Sequence, residues 1–319
     1  MATLYGLPNE ILSRILANFC VHCCDPPQTP AAFSLIGATL GQQREEEGGR
    51  QLPPGDLSDR QALYSMCLVS TRFRDVAQGI LFHAFVPGSS GSSTSPECSW
   101  GRCLTRFLRT VVRCPDLAAQ VQMVVLGPNM SSPMDRETKL VLEEVACARG
   151  FQLADLFRPS YQKFPPGALE LRELFRCDGL FTMILAYLPN LVRLVFECYR
   201  SPYYLDESCL RTARISTLSL RTLEVFGCQW YCSSSLMVLL KMTSSTLRTL
   251  GIVSGGSAEL QTLAPFLVHD LRHLCLTDFK ARGSELALIL SRCEGLESFI
   301  FDAGTFSVHC PSMMPRMST

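Results

Sequence analysis

The sequence carries no excess of charge of either sign. Among 319 residues, Lys plus Arg and Asp plus Glu both number 29, and the pI is about 6.9. Such a balance offers no electrostatic footprint for a nucleic acid or an anionic membrane, so neither is expected as a partner. Charged residues are sparse altogether, at 18%, and near-zero net charge predicts poor solubility of the chain in isolation. Long hydrophobic runs are also missing. The longest strongly apolar stretch, Gly179 to Leu188, falls well short of the roughly 20 residues that cross a bilayer. Histidine is scarce, and His22, His83, His269, His273 and His309 are scattered. No Gly-x-Ser-x-Gly, His-Glu-x-x-His or phosphate-binding glycine loop occurs, and Ser254-Gly255-Gly256-Ser257 reads as a turn. An enzyme is therefore not expected, and no cofactor is expected. The opening Met1-Ala2-Thr3-Leu4-Tyr5-Gly6 lacks a basic n-region and an apolar h-region. The 16 cysteines are accordingly read as reduced, mostly buried thiols of an intracellular protein, cytoplasmic or nuclear.

What the chain has is apolar periodicity. Hydrophobic residues make up 47% and mean hydropathy is +0.17, enough for a large core. Ile11, Leu12, Ile15, Leu16 and Phe19 lie along one helical stripe, with Pro8 at an early helical position where its missing N–H costs nothing. Leu63, Met66, Cys67, Val69 and Phe73 repeat the helical spacing, and the pattern runs on to Ile80-Leu81-Phe82. Between these halves, residues 25–61 hold Asp25-Pro26-Pro27, a charged run from Gln42 to Arg50 and Pro53-Pro54-Gly55, which reads as a mostly disordered insertion. Ala31 to Ile36 could form a short ordered patch within it. Pro87 to Pro96 is rich in Gly and Ser and predicts a flexible break. Leu104, Phe107, Leu108, Val111 and Val112 then predict a third helix ending before Pro115.

From residue 121 a pattern recurs in which an apolar residue is followed by others three and five places later. It appears as Val121-Val124-Leu126, Leu191-Leu194-Phe196, Leu220-Leu223-Val225, Leu247-Leu250-Ile252, Leu271-Leu274-Leu276 and Leu296-Phe299-Phe301. Successive starts are 70, 29, 27, 24 and 25 residues apart. The last four intervals lie in or at the edge of the leucine-rich-repeat range. Asn129 and Cys228 sit three beyond the last apolar residue, where that repeat favours Asn or Cys. Leu236 to Met242, Ala258 to Val268, Ser284 to Cys293, Leu140 to Ala148 and Phe181 to Leu188 predict helices between strands. The 70-residue interval is expected to hide one or two degenerate repeats and a loop at Phe157 to Pro166. After Phe301 no polar capping repeat is visible, which leaves truncation and dimerisation through that end both open.

Residues 7–85 resemble an F-box, through Leu7-Pro8-Asn9-Glu10-Ile11-Leu12 and Cys67-Leu68-Val69-Ser70-Thr71-Arg72-Phe73-Arg74, and residues 121–301 resemble the leucine-rich repeats that often follow one. Phe107-Leu108-Arg109-Thr110 with Cys114-Pro115-Asp116-Leu117-Ala118 is similar to the connector of fungal members. The insertion departs from the family, which usually has a short adaptor-touching loop at that place. The resemblance implies an α+β protein: a small all-α F-box-like domain (1–86), a flexible linker (87–103) and an irregular α/β leucine-rich-repeat solenoid (104–319). It implies substrate recognition in an SCF-type (Skp–cullin–F-box) ubiquitin ligase, with a Skp-type adaptor and, through it, a cullin as partners. A non-ligase F-box scaffold and a plain leucine-rich-repeat interaction module remain the alternatives.

Two surfaces follow from these readings. Leu7, Pro8, Ile11, Leu12, Ile15, Leu16, Leu68, Val69 and Phe73 are too many for two helices to bury internally, so a surplus should meet the adaptor. On the strands, alternation directs Arg193, Val195, Glu224, Phe226, Val253, His273 and Ile300 outward, onto a mixed concave face for a protein target. Cys20-Val21-His22-Cys23-Cys24 has metal-binding residue types. Zinc, however, takes four ligands, usually as two separated pairs. Adjacent Cys23 and Cys24 cannot easily both ligate, and no second pair lies nearby, Cys67 being the nearest. These residues are expected to end the first helix as apolar filler, with no metal.

Overall fold

A computed structural model describes residues 4–24, 55–86, 100–126, 136–148, 150, 176–197, 205, 207–226, 233–253, 270–277 and 281–303. The flexible break before residue 100, the loop at Phe157 to Pro166, Ala258 to Val268, Asn129, Cys228 and most of the 25–61 insertion lie outside these residues.

The chain folds as a mixture of helices and one seven-stranded parallel sheet. It enters through a 3-10 turn, Leu4–Gly6, and helix α1, Asn9–Ala17. Pro8 is the residue just before α1, and its carbonyl accepts the Ile11 and Leu12 N–H groups at 3.1 Å each. The short α2, Val21–Cys24, follows. Helix α3 spans Gly55–Val69, so residues 55–61, expected to belong to the disordered insertion, are helical. Ser70 is extended, and its hydroxyl accepts the Phe73 N–H at 3.2 Å. This side-chain cap satisfies one of the orphan donors that opens α4, Thr71–Leu81. Leu16, Cys20, Leu63, Cys67, Ala77 and Ile80 form the core of this helical module.

Strand β1, Ala84–Phe85, leads directly from α4 into the sheet. The sequence pattern placed no strand here, because two residues are too short to show alternation. Helix α5, Trp100–Arg113, takes the last residues expected to be linker and presents Leu104, Phe107, Leu108 and Val111 to the core. Then come α6 (Pro115–Gln120), β2 (Met123–Leu126), α7 (Arg136–Ala148), α8 (Arg176–Tyr187), β3 (Arg193–Glu197), α9 (Glu207–Thr212), β4 (Thr222–Phe226), α10 (Ser233–Thr243), β5 (Thr249–Val253), β6 (His273–Thr277), α11 (Gly283–Leu290) and β7 (Ser298–Phe301).

The strands lie in sequence order, every neighbouring pair parallel. Val124, Leu194, Leu223, Leu250, Leu274 and Phe299 stand side by side, as do Leu126, Phe196, Val225, Ile252, Leu276 and Phe301. The repeat read from spacing is therefore the register of the sheet. One part of it is corrected: β2 pairs directly with β3, so the 70-residue interval inserts no further strand between them. Helices α7 and α8 occupy that crossover instead. The apolar rows face a single large core shared with α5, α7, α8 and α10.

A second periodicity runs along the leading edge of the sheet. One carbonyl before each strand accepts two N–H groups from the next repeat. His83 O takes Gln122 and Met123, Gln122 O takes Val192 and Arg193, and Val192 O takes Arg221 and Thr222, at 2.8–3.0 Å. Arg221 O, Arg248 O and Arg272 O continue the ladder to Glu297 and Ser298 at 2.7–3.0 Å. His83 is thus its first rung, which joins the helical module to the sheet through the main chain.

Candidate functional site

The helical module is held open at one end by an arginine that sequence reasoning did not single out. Arg72 opens α4, and its Nε donates to Asn9 Oδ1 at 2.9 Å while its two terminal nitrogens donate to the Tyr5 and Leu7 carbonyls. Tyr5 meets Phe73 edge to face, 5.2 Å between ring centres. These contacts set Leu7–Ile11 beside the α3–α4 corner where Leu68 and Val69 lie. A planar, five-donor guanidinium suits a cluster of carbonyl acceptors. The signal was its place between Ser70 and Phe73, but nothing local to the sequence shows a bond to residues over 60 positions away.

The nine apolar residues expected to dock a partner separate into two groups. Leu68 is 65% exposed, Val69 55%, Ile11 40% and Ile15 37%. Pro8 is also exposed and Leu7 half-buried. Leu12, Leu16 and Phe73 are fully buried, so they cannot touch a partner. They lie on the inward side of the helical stripe and pack within the module.

The outward strand residues are corrected more heavily. Arg193, Val195, Glu224 and Phe226 are buried, not displayed on an open face. Val195 and Phe226 join Ala84, Met123 and Val125 in a second apolar cluster. Arg193 Nε donates to Glu224 Oε1 at 2.8 Å, with a second nitrogen at 2.6 Å from the same oxygen and both side chains about 2% exposed or less. The physical reason is general: parallel sheets are ordinarily covered on both faces. Only Val253 and His273, half-buried, and Ile300, 36% exposed, retain access. Cys275 faces the same side, and burial, assisted by the Glu224 charge, pushes its thiol up to about 11.

Along the leading edge, a polar groove of about 570 Å³ is lined by Arg221, Arg248, Arg272, His273 and Glu297, among others. The three arginines occupy the ladder position before β4, β5 and β6. Arg248 pairs with Asp270 at 3.1 Å and Arg272 with Glu297 at 2.5 Å, all substantially exposed.

Of the cysteines expected to act as apolar filler after α1, Cys20 does pack in the module core and Cys23 does not. Cys20 is buried but Cys23 is exposed. Cys20, His22, Cys23 and His83 bring their donor atoms within 4.8 Å of one another. Cys23 Sγ lies 3.7 Å from His22 Nδ1 and 3.3 Å from His83 Nδ1, and the two rings meet edge to face at 5.7 Å. The hydrogen bond with Cys23, and smaller ones with His22 and His83, hold the Cys20 thiol far below its ordinary value against the opposing effect of burial. Half-buried Arg60 stands close by, donating to the Val86 carbonyl, its guanidinium pKa lowered by burial against the opposing charges of Cys20 and Cys103. Cys67, the nearest cysteine in sequence, is not part of the group. His83, 60 residues from Cys23, supplies the missing donor, and only the fold brings it there.

No protein-family model matches the chain, and no curated protein matches it in sequence. Among the described residues, no helix is long and apolar enough to cross a membrane.

Proposed function

We propose that the chain is a substrate-recognition adaptor of an SCF-type ubiquitin ligase, built as an F-box-like module joined to an irregular leucine-rich-repeat solenoid. The observation that carries this reading is the exposure of Ile11, Ile15, Leu68 and Val69 on the segments that resemble an F-box. The in-order parallel strands, and the 24–29-residue spacing of β3 to β7, support the solenoid reading. The module takes a Skp-type adaptor and reaches a cullin through it. The chain performs no bond chemistry itself, needs no cofactor, and acts inside the cell.

Magnitudes bound the docking. Full burial of one such side chain contributes about 1.5–3 kcal/mol. Roughly half of each remains to be covered, so the four give on the order of 4 kcal/mol. Association costs an estimated 4–15 kcal/mol. The four alone do not suffice, and exposed Tyr5 and Tyr64 together with polar rim contacts must add to them. For the target, buried Arg193, Val195, Glu224 and Phe226 are set aside. The accessible surface is the β5–β7 end with Val253, His273 and Ile300, and the arginine-lined groove beside it.

Co-purification tests the reading. Recovery of the chain with adaptor and cullin together supports a ligase receptor. Recovery with adaptor alone points to a non-ligase scaffold, and recovery with neither points to a repeat-based interaction protein whose module has lost docking.

A further inference from the structure

We propose that Cys20, His22, Cys23 and His83 form a structural zinc site that staples the short α2 to the first rung of the sheet. The argument is geometric. Zn–S bonds of about 2.3 Å and Zn–N bonds of about 2.0–2.1 Å place tetrahedral donors roughly 3.3–3.8 Å apart. The two Cys23 Sγ to imidazole Nδ1 separations, 3.3 and 3.7 Å, already lie in that range. The widest separation in the group, within 4.8 Å, needs about 1 Å of closure. Small side-chain rotations of half-buried His22 and exposed Cys23 supply it.

The donor set chooses the ion. Two thiolates and two neutral imidazoles are a mixed sulfur–nitrogen set that suits zinc and balances its charge to zero. A neutral site is also the form that tolerates the buried side of the cluster at Cys20. A Cys20–Cys23 disulfide is the competing fate of the same thiols, but it leaves the convergence of two imidazoles on one sulfur without a purpose. Four protein donors leave no open position, which marks a structural role, not a catalytic one.

Position gives the site its consequence. Cys20 immediately precedes α2 and Cys23 lies within it, and the Cys23 N–H donates to the Cys20 carbonyl at 3.0 Å. His83 sits between α4 and β1, its carbonyl held by Gln122 and Met123 at 2.9 Å. A metal here crosslinks residues 60 positions apart and fixes the helical module against the array. Binding energy at such a site is folding energy.

The test uses the full chain, reduced and stripped of metal, titrated with cobalt(II) as a probe and then with zinc. The expected result is one cobalt per chain with tetrahedral visible bands and a thiolate charge-transfer band, both erased by zinc. His83→Ala should weaken binding by more than the roughly 10–100-fold that a change outside the ligand set costs. His83→Cys should keep the metal and strengthen the charge-transfer band, a rescue that a general folding defect would not give. Cys67→Ser, outside the set, should titrate like the parent. The proposal is overturned if the parent chain gives no tetrahedral cobalt spectrum, if His83→Ala binds as tightly as the parent, or if the thiols of the reduced, metal-supplied chain still close to a Cys20–Cys23 disulfide.

Discussion

The helical module and the outward face of the sheet invert each other. In the module, Leu68, Val69, Ile11 and Ile15 stand in solvent. On the sheet, Arg193 and Glu224 are sealed at about 2% exposure or less. Polarity alone would assign these the other way round, with charged strand residues outside and leucines inside. The difference teaches that openness is set by what neighbouring elements must cover. A module this small cannot bury every apolar side chain on its stripes. A parallel sheet with crossover segments has both faces covered and buries whatever its alternation presents.

The largest expected effect breaks the sealed side. Glu224→Ala or Arg193→Ala each breaks the buried ion pair from one side and should cost about 3–5 kcal/mol. Replacing both, as Arg193→Met with Glu224→Leu, should return most of that stability, because a packed apolar pair avoids the desolvation of two ions. Denaturant midpoints of the three variants check it. Silent single variants would mean that this face is solvated after all, and the contrast with the module would disappear.

Next come the inward rows. Leu223→Ala, Leu250→Ala and Leu274→Ala empty fully buried positions and should each cost roughly 2–5 kcal/mol. Phe299→Ala occupies the equivalent position on the last strand but is already 37% exposed, so its loss should be clearly smaller. Thermal melts of the four give a gradient that falls toward β7. A flat series would mean that the end of the array is as tightly packed as its middle.

A smaller effect sharpens the module side. Arg72→Met removes the donors that hold Tyr5, Leu7 and Asn9. Each net hydrogen bond is worth about 1 kcal/mol and these are exposed or half-buried, so a loss of about 1–2 kcal/mol is expected. Proteolysis within residues 4–9 should quicken by more than the global melt implies, since the arginine orders this turn specifically.

Much of the sheet was legible because it is periodic. Spacing alone placed the core positions of six strands, and each is in register with its neighbours. Strand β1 was not, since two residues carry no alternation, and its partner lies 39 positions on. Alternation correctly put Arg193, Val195, Glu224 and Phe226 on the second face, but it says nothing of whether that face is covered. The apolar stripe of α1 was legible from its spacing, yet the division of Ile11 from Leu12 needs the packing of α1 on α4. The cysteine cluster shows the limit most clearly. Three of its donors are local, and the fourth, His83, arrives only when α4 and β1 are in place.

The smallest expected change in stability accompanies the largest expected change in function. Ile11→Ser and Leu68→Ser replace side chains that are 40% and 65% exposed, and such surface substitutions usually alter stability by no more than about 0.5 kcal/mol. If these residues are the docking face, either variant should lose most of its capture of a Skp-type adaptor, and the pair should lose it entirely. Leu12→Ala, one position from Ile11 but buried at 1%, should cost roughly 2–5 kcal/mol and lose capture only as far as it unfolds the module. Adaptor pull-down measured alongside melting separates the two. Capture that tracks stability across all the variants would mean that Ile11 and Leu68 make no contact with the adaptor. Capture that tracks exposure, falling with Ile11 and Leu68 while the fold stands, would place the contact on the open end of the module that Arg72 holds in shape.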